Sequence, residues 1–251
     1  MIAIVCGVFV FGQSTGDYRS INDGNWSNRN IWERWDGDSW EKPTRAQGAP
    51  SSSSGVITIR NGHRILVNYD VVANQIVVDN GGEIVINVGE SLTISDGAGI
   101  DLLNNGVITN YWDLLISCSV TNNTTINNYD KGIIFNNNSL VNNGTIVNEY
   151  EIRNTSTFVC SDGSNYIHQR NGGYIPSATW ATTSNCNITG VTSTIPTGFN
   201  QTFGNVTWNS TGQNSHLSLA GSLQTVQGNL TINSTGNRSL RLLNAATIYL
   251  P

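Results

Sequence analysis

The sequence predicts an all-β chain wound as a parallel β-solenoid, or β-helix, with an aromatic N-terminal cap. Three observations carry that prediction: a composition hostile to helices, short β-rich runs broken by Asn and Gly, and a recurring period of about 19 residues, the mark of a repeat architecture. Of 251 residues, 26 are Gly and 35 are Asn, and 12% are charged, against roughly 25% in an average globular protein. Asn, Gly, Ser and Thr are poor inside helices but suit turns and stacked strands, and the apolar remainder is mostly Ile, Val and Leu. A net charge of -5 and a pI of about 5.0 argue against a nucleic-acid binder with a basic footprint.

The elements follow in chain order. Ile2 to Phe11 is a continuous apolar run closed by Gly12, Gln13 and Ser14, and residues 1–14 read as an export signal that places the mature chain outside the cell or on its surface. The basic segment that usually precedes such a run is missing, so a truncated start or a buried first strand are the competing readings. Ten apolar residues are too few to span a bilayer, which takes roughly 20 in a helix. Residues 15–50 hold four of the seven tryptophans, Trp26, Trp32, Trp35 and Trp40, and six of the seventeen acids. Within them Asp36-Gly37 signals a hairpin; a four-residue DGDS turn pairing Trp35 with Trp40 is the alternative register. Gln47 to Ser54 reads as a linker or loop.

From Val56 onward the runs VITIRNGHRILV, QIVVDNGGEIVINV, DLLNNGVITN, TNNTTINN and SLVNNGTIVN argue for strands of about four to seven residues. The motifs starting at Asn104, Asn122 and Asn142, and the earlier pairs Asn61-Gly62 and Asn80-Gly81, recur at steps of about 18 to 20 residues. The segment 51–160 is therefore expected to form coils of about 19 residues. In 161–251 the near-copies GNVTWNSTGQNSHLSL and GNLTINSTGNRSLRL, offset by about 24 residues, predict longer coils. Stacked at about 4.8 Å, like residues align from coil to coil, and aligned Asn side chains hydrogen-bond along the stack. The competing fold is a β-sandwich, whose antiparallel strands favour polar/apolar alternation and irregular spacing. A solenoid needs its end coils covered, and residues 15–50 fit that role. The pattern is still running at Leu250-Pro251, so a longer protein with downstream domains is expected.

TGDYRS, GNWSNRNIWERWDGDSW, VITIRNGHRILV, GGEIVINVGESLTI, NGGYIPSATW, CNITGV, PTGFNQTFGNVTWN and GNLTINSTG resemble the N-terminal region of large secreted surface proteins, adhesin-like, of Bacteroidetes-type bacteria. The resemblance covers nearly the whole mature chain. It implies a signal peptide, a long β-solenoid and, far downstream, a C-terminal sorting domain for type IX secretion, which this chain lacks. It implies no characterised activity, and hence no catalytic residues.

Carbohydrate-cutting enzymes on β-solenoids need carboxylates, as a pair or as metal ligands. From Gly163 to Pro251 there is no Asp, Glu or Lys. Among the eleven acids between Asp70 and Asp162, the closest pairs are Asp96 with Asp101 and Glu149 with Glu151. Asp36, Asp38 and Glu41 crowd one turn and are the candidate Ca²⁺ ligands, without the twelve-residue loop of an EF-hand. His63, His168 and His216 lie far apart in sequence. Tyr18, Trp26, Trp32, Trp35 and Trp40 are either the core of the cap or an aromatic platform for sugar rings. With Cys6 in the signal, Cys118, Cys160 and Cys186 remain. Cys160 and Cys186 are separated by about 26 residues, near one coil, and are expected within disulfide reach. The expected function is a non-catalytic structural or adhesin-like stalk. A carbohydrate-binding module using the aromatic cluster is the alternative, with surface glycans as partners, and a polysaccharide lyase or hydrolase the second alternative.

Overall fold

The computed structural model describes residues 12–97, 99 and 101–243, so the apolar run 2–11 read above as an export signal and Cys6 lie outside the described residues. The chain forms a parallel β-solenoid of about nine turns, with only about 1% of residues helical. At one strand spacing per turn this is a rod on the order of 40 Å long. Three sheets run along it. Face A continues from the N-terminal hairpin to Thr179–Trp180, face B from Gly24–Asn25 to Leu230–Ser234, and face C from Val71–Ala73 to Glu151–Asn154. Past Asn154 face C ends, and the third side is closed by loops joined at the Tyr174–Thr197 bridge and then by Leu217–Ser218 beside Leu240–Arg241. Face B crosses residue 160 without interruption. The parallel ladders decide against the sandwich.

The expected period is the observed register. Asn104 pairs with Asn122 and Asn122 with Asn142, while Val206 pairs with Leu230 across the offset between the two near-copies. That last pair of strands slips between Trp208 and Asn209, so the near-copies are not stacked residue for residue. Side chains alternate in and out along each short strand, and each inward position becomes a column through the stack. Ile65, Ile84, Ile108, Ile126 and Ile146 form one such column on face B, all fully buried. Fully burying each contributes about 1.5–3 kcal/mol.

In the middle coils the second inward position of each face, where the chain turns the corner, is filled by asparagine. On face A the Asn104 Nδ2 donates to Asn122 Oδ1 at 2.7 Å and Asn122 Nδ2 to Asn142 Oδ1 at 2.8 Å. Each amide also donates across the corner: Asn104 to the Thr125 carbonyl, Asn122 to that of Thr145 and Asn142 to that of Asn165. Face B repeats the device through Asn110, Asn128 and Asn148, and face C through Asn136 and Asn154. A carboxamide has donor and acceptor on one planar group, so it can accept from one coil and donate to the next with no atom left over. On faces A and B the first amide oxygen of the ladder accepts from the backbone of Gly106 or Trp112, but on face C the sum fails. Asn136 stacks on Ile116, and its Oδ1 has no partner. After the corner asparagine pair, Gly106 and Gly144 have no room for a side chain, since a Cβ there would strike the Gly82 or Thr124 oxygen, whereas the coil between them carries Thr124 at this position.

The N-terminal segment closes the first coil. Tyr18–Ser20 pairs parallel with Ile57–Ile59 on one side and antiparallel with Trp32–Trp35 on the other, and Trp32–Trp35 continues into Trp40–Glu41. Trp35 faces Trp40 across a DGDS turn in which Asp36 N donates to the Ser39 carbonyl, the four-residue register. The stretch 47–54 is an ordered loop packed on the cap rather than a free linker, with the Pro50 carbonyl accepting from Trp26 Nε1 at 2.8 Å.

Replacing Asn122 by Ala leaves the Asn104 amide without its acceptor and the Asn142 oxygen without its donor. The expected loss is about 2–4 kcal/mol in urea unfolding. Replacing Asn104, Asn122 and Asn142 together by Val should cost clearly less than three times the single change, because no orphaned partner remains inside the column. Strict additivity would contradict the ladder account.

Candidate functional site

The residues singled out in the cap do not share one environment. Trp26 and Trp32 are fully buried, tilted rings 5.3 Å apart, and Trp32 Nε1 donates to the Trp26 carbonyl at 3.0 Å. Tyr18 is also buried, its hydroxyl donating to the Gln47 carbonyl. These three belong to the core, the first of the two readings of the cluster, and not to a five-ring sugar platform: the open end of the first coil is apolar, and large rings cover it best. Trp35 and Trp40 remain half-exposed, packed edge to face at 5.5 Å. The Arg19 guanidinium lies 4.3 Å over the Trp40 ring and is ion-paired with Glu33 at 2.6 Å. Beside them a groove of about 320 Å³ is lined by Asp17, Arg19, Trp40, Arg60, Val77 and Asp79. Burial pushes the Asp79 carboxyl above its usual range, with Arg60 opposing. One face of Trp40 is thus already occupied, and the Asp17 carboxylate is committed to the Ser14 and Val56 amides.

Two of the three candidate calcium ligands, Asp36 and Glu41, are hydrogen-bonded within the turn. Asp36 Oδ1 accepts from the backbone amides of Asp38 and Ser39, both at 2.8 Å, and those bonds from Ser39 and then Asp38 hold its carboxyl below the usual range. Glu41 accepts from Ser39 Oγ. Among the described residues no three His, Cys, Asp or Glu side chains are grouped to hold a metal ion. Local spacing brought these acids into one turn, but a hairpin turn needs an acceptor for its own amides first.

The candidate carboxylate pairs separate as well. Asp101 is buried and accepts from Gly97 N, Ser119 N and Ser119 Oγ at 2.7–2.9 Å, clamping the turn before its strand. Burial works against its ionisation, but those bonds hold it below the ordinary carboxylate range. Asp96 is exposed. Glu151 is ion-paired with Arg153 at 3.1 Å, two residues along its own strand, while Glu149 lies in the corner before it. His63 and His216 are bonded to Ser20 and Ser239, in separate parts of the rod.

Cys160 and Cys186 are not bridged. Both are buried free thiols, as is Cys118. One coil here is shorter than their separation, so Cys160 stacks on Trp180 in face A while Cys186 sits between Tyr166 and Val206 in face B. Burial raises both thiols above their ordinary range and takes Cys118 to about 12.

Sequence reasoning missed the role of His168. It occupies the asparagine column of face B one coil above Asn148. The Asn148 Nδ2 donates to the Tyr166 hydroxyl at 3.0 Å, that hydroxyl lies 3.5 Å from His168 Nδ1, and His168 Nε2 donates to the Gly172 carbonyl at 2.8 Å. The imidazole ends the ladder in a Tyr-His cluster, and burial holds its pKa down to about 4. The alignment of His168 with Asn128 and Asn148 at equal, coil-length steps was the available signal.

No protein-family model, curated protein or solved structure matches this chain. Among the described residues no helix is long and apolar enough to cross a membrane.

Trp26→Ala and Trp32→Ala should each cost about 3–5 kcal/mol, and Trp40→Ala much less; equal losses would mean that the hairpin pair is core too. The unfolded chain protonates its histidine near the ordinary 6.5, whereas His168 stays neutral in the fold down to about 4. Its contribution is complete above pH 6.5 and is lost as pH falls from 6.5 to 4, by on the order of 3 kcal/mol. His168→Asn should remove this part of the acid dependence and leave the loss at lower pH to carboxylates such as Asp101, as pH-dependent urea midpoints will show.

Proposed function

We propose that this chain is a non-catalytic structural segment of an exported protein, an adhesin-like β-solenoid stalk that spaces the other parts of a longer polypeptide from a cell surface. The observation that carries the reading is the repeated interior. Coil after coil reuses the same isoleucine columns and asparagine ladders, so length is added without new design and each coil depends mainly on its neighbours. The most deeply held polar groups, the corner amides and the Asp101 carboxylate, are spent on holding adjacent coils in register. The apolar run at residues 2–11 and the resemblance to secreted surface proteins of Bacteroidetes-type bacteria support export, with type IX secretion as the route and downstream domains of the same chain as partners.

A stalk tolerates a change of length. Deleting residues 119–138, one coil between the paired positions Ser119 and Ser139, should leave a β-dominated circular-dichroism spectrum and cooperative unfolding, with a modest loss of stability. In a Bacteroidetes host, an epitope-tagged chain with its residues 1–14 and a type IX sorting domain fused at its end should be lost to protease added to intact cells, with or without that coil. Retention inside the cell would overturn export, and release of new reducing or unsaturated ends from a glycan panel would overturn the non-catalytic reading.

A further inference from the structure

The corner between faces B and C carries a line of aromatic rings that the chain interior does not use. The residue after the inward corner position of each face B strand stacks with its counterpart below. Tyr111 N donates to the Ile86 carbonyl at 3.0 Å, Tyr129 N to that of Asn110 at 2.9 Å and Glu149 N to that of Asn128 at 2.8 Å. Rings therefore lie along one edge of the rod in three successive coils, Tyr111 with Trp112, then Tyr129, then Tyr150, while Tyr69 stands two coils before Tyr111 with the ring-free corner 87–90 between them. Tyr69 and Tyr150 are 39% and 37% exposed, and Tyr111, Trp112 and Tyr129 are half-exposed. Tyr111 and Tyr129 lie 6.1 Å apart and tilted by 48°, which keeps them out of face-to-face stacking. Buried rings serve a core, but rings in exposed corners gain little stability from being aromatic.

The charges beside this edge narrow what it would bind. Asp70, Glu90, Asp113, Asp130, Glu149 and Glu151 lie in its corner turns and adjoining strand starts, against Lys131, Arg153 and Arg170. Arg153 is held by Glu151, and Arg170 lies over the Tyr150 ring at 5.3 Å. The excess of carboxylates repels polyanions such as nucleic acids and acidic glycans, while carboxylates accept hydrogen bonds from hydroxyl groups. Aromatic residues in three successive coils, each coil advancing by about 4.8 Å, close to one sugar ring of an extended chain, suit a repeating hydroxyl-rich polymer.

We propose that the Tyr69–Trp112–Tyr129–Tyr150 edge is a binding ridge for an extended, neutral β-linked polysaccharide laid along the rod. This goes beyond the stalk reading and does not depend on it. The test is affinity electrophoresis of the whole chain in gels containing hydroxyethyl cellulose, glucomannan or xylan, beside alginate and polygalacturonate. At least one neutral polymer should retard the protein. Trp112→Ala and Tyr150→Ala, checked for folding by circular dichroism, should weaken that retardation at least tenfold, while Trp35→Ala in the distant hairpin leaves it unchanged. Should an alanine variant fail to fold, hydrogen exchange of the unaltered chain with the retarding polymer provides the second reading: protection is expected at residues 111–112, 129–130 and 149–150. The proposal is overturned if no neutral polymer retards the chain, if the acidic polymers retard it more, if only Trp35→Ala matters, or if protection falls elsewhere.

Discussion

Everything in this molecule depends on parallel strands stacking in register at one strand spacing per coil. A parallel ladder places identical positions above one another, so a residue is chosen by how well it stacks on its own kind. Isoleucine, leucine and valine do so through shape and asparagine through its amide, and an aliphatic residue and an asparagine share the two inward positions of most strands in the middle coils. The corner asparagines solve the problem that a solenoid corner creates. There the backbone leaves the ladder and its carbonyls face inward, and a buried unpaired carbonyl costs about 1–3 kcal/mol. One Asn Nδ2 serves both the neighbouring amide and the carbonyl of the next strand, as Asn122 does toward Asn142 and Thr145.

The same rule explains where the regularity fails. A column that changes residue type has an end, and each end needs its own solution. Face A passes from Asn142 to Cys160 and then Trp180; face B passes from Asn148 to His168 and then Ile188. Across this transition face C stops and longer loops take over its side, with Phe199, Phe203, Trp180 and Tyr166 packed ring against ring. Aromatic volume here replaces the missing third strand, much as Trp26 and Trp32 cover the first coil. The antiparallel hairpin of Trp32–Trp35 and Trp40–Glu41 differs in kind, since it ends face A with a short turned-back edge rather than an open parallel one.

The sequence disclosed the architecture because period and register are one quantity in a solenoid: the spacings of Asn104, Asn122 and Asn142 along the chain are the observed pairings. It disclosed the sites less well, because composition and nearness in sequence are poor substitutes for register. The aromatic side chains of 15–50 look like one cluster, yet burial divides them according to whether they lie over the coil or along the hairpin. Cys160 and Cys186 look one coil apart, yet the local coil is shorter, carrying Tyr166 onto Cys186, and the excess moves a residue from one face to the next. The acids of the DGDS turn look like a metal site, yet the turn's own amides claim Asp36. The corner tyrosines are hidden for the converse reason: Tyr111, Tyr129 and Tyr150 are scattered in the text and fall in three successive coils only when the coils are laid over one another.

What a solenoid leaves open to selection follows from this division of labour. Inward positions answer to the column, so a change in one coil is constrained by the coils on either side. Outward positions face no such demand beyond β-propensity, and on faces A and B they are filled largely with Thr, Val and Asn. Corners are freer still, because they can lengthen without disturbing the ladders: the face B–C corner is Tyr111-Trp112 in one coil and Tyr129–Gly132 in the next, while Asp113 still pairs with Ile133. Aromatic and charged residues concentrated along one corner therefore owe little to the stack. A column of like residues is forced in the interior; outside it, a column is informative, because nothing in the packing required it.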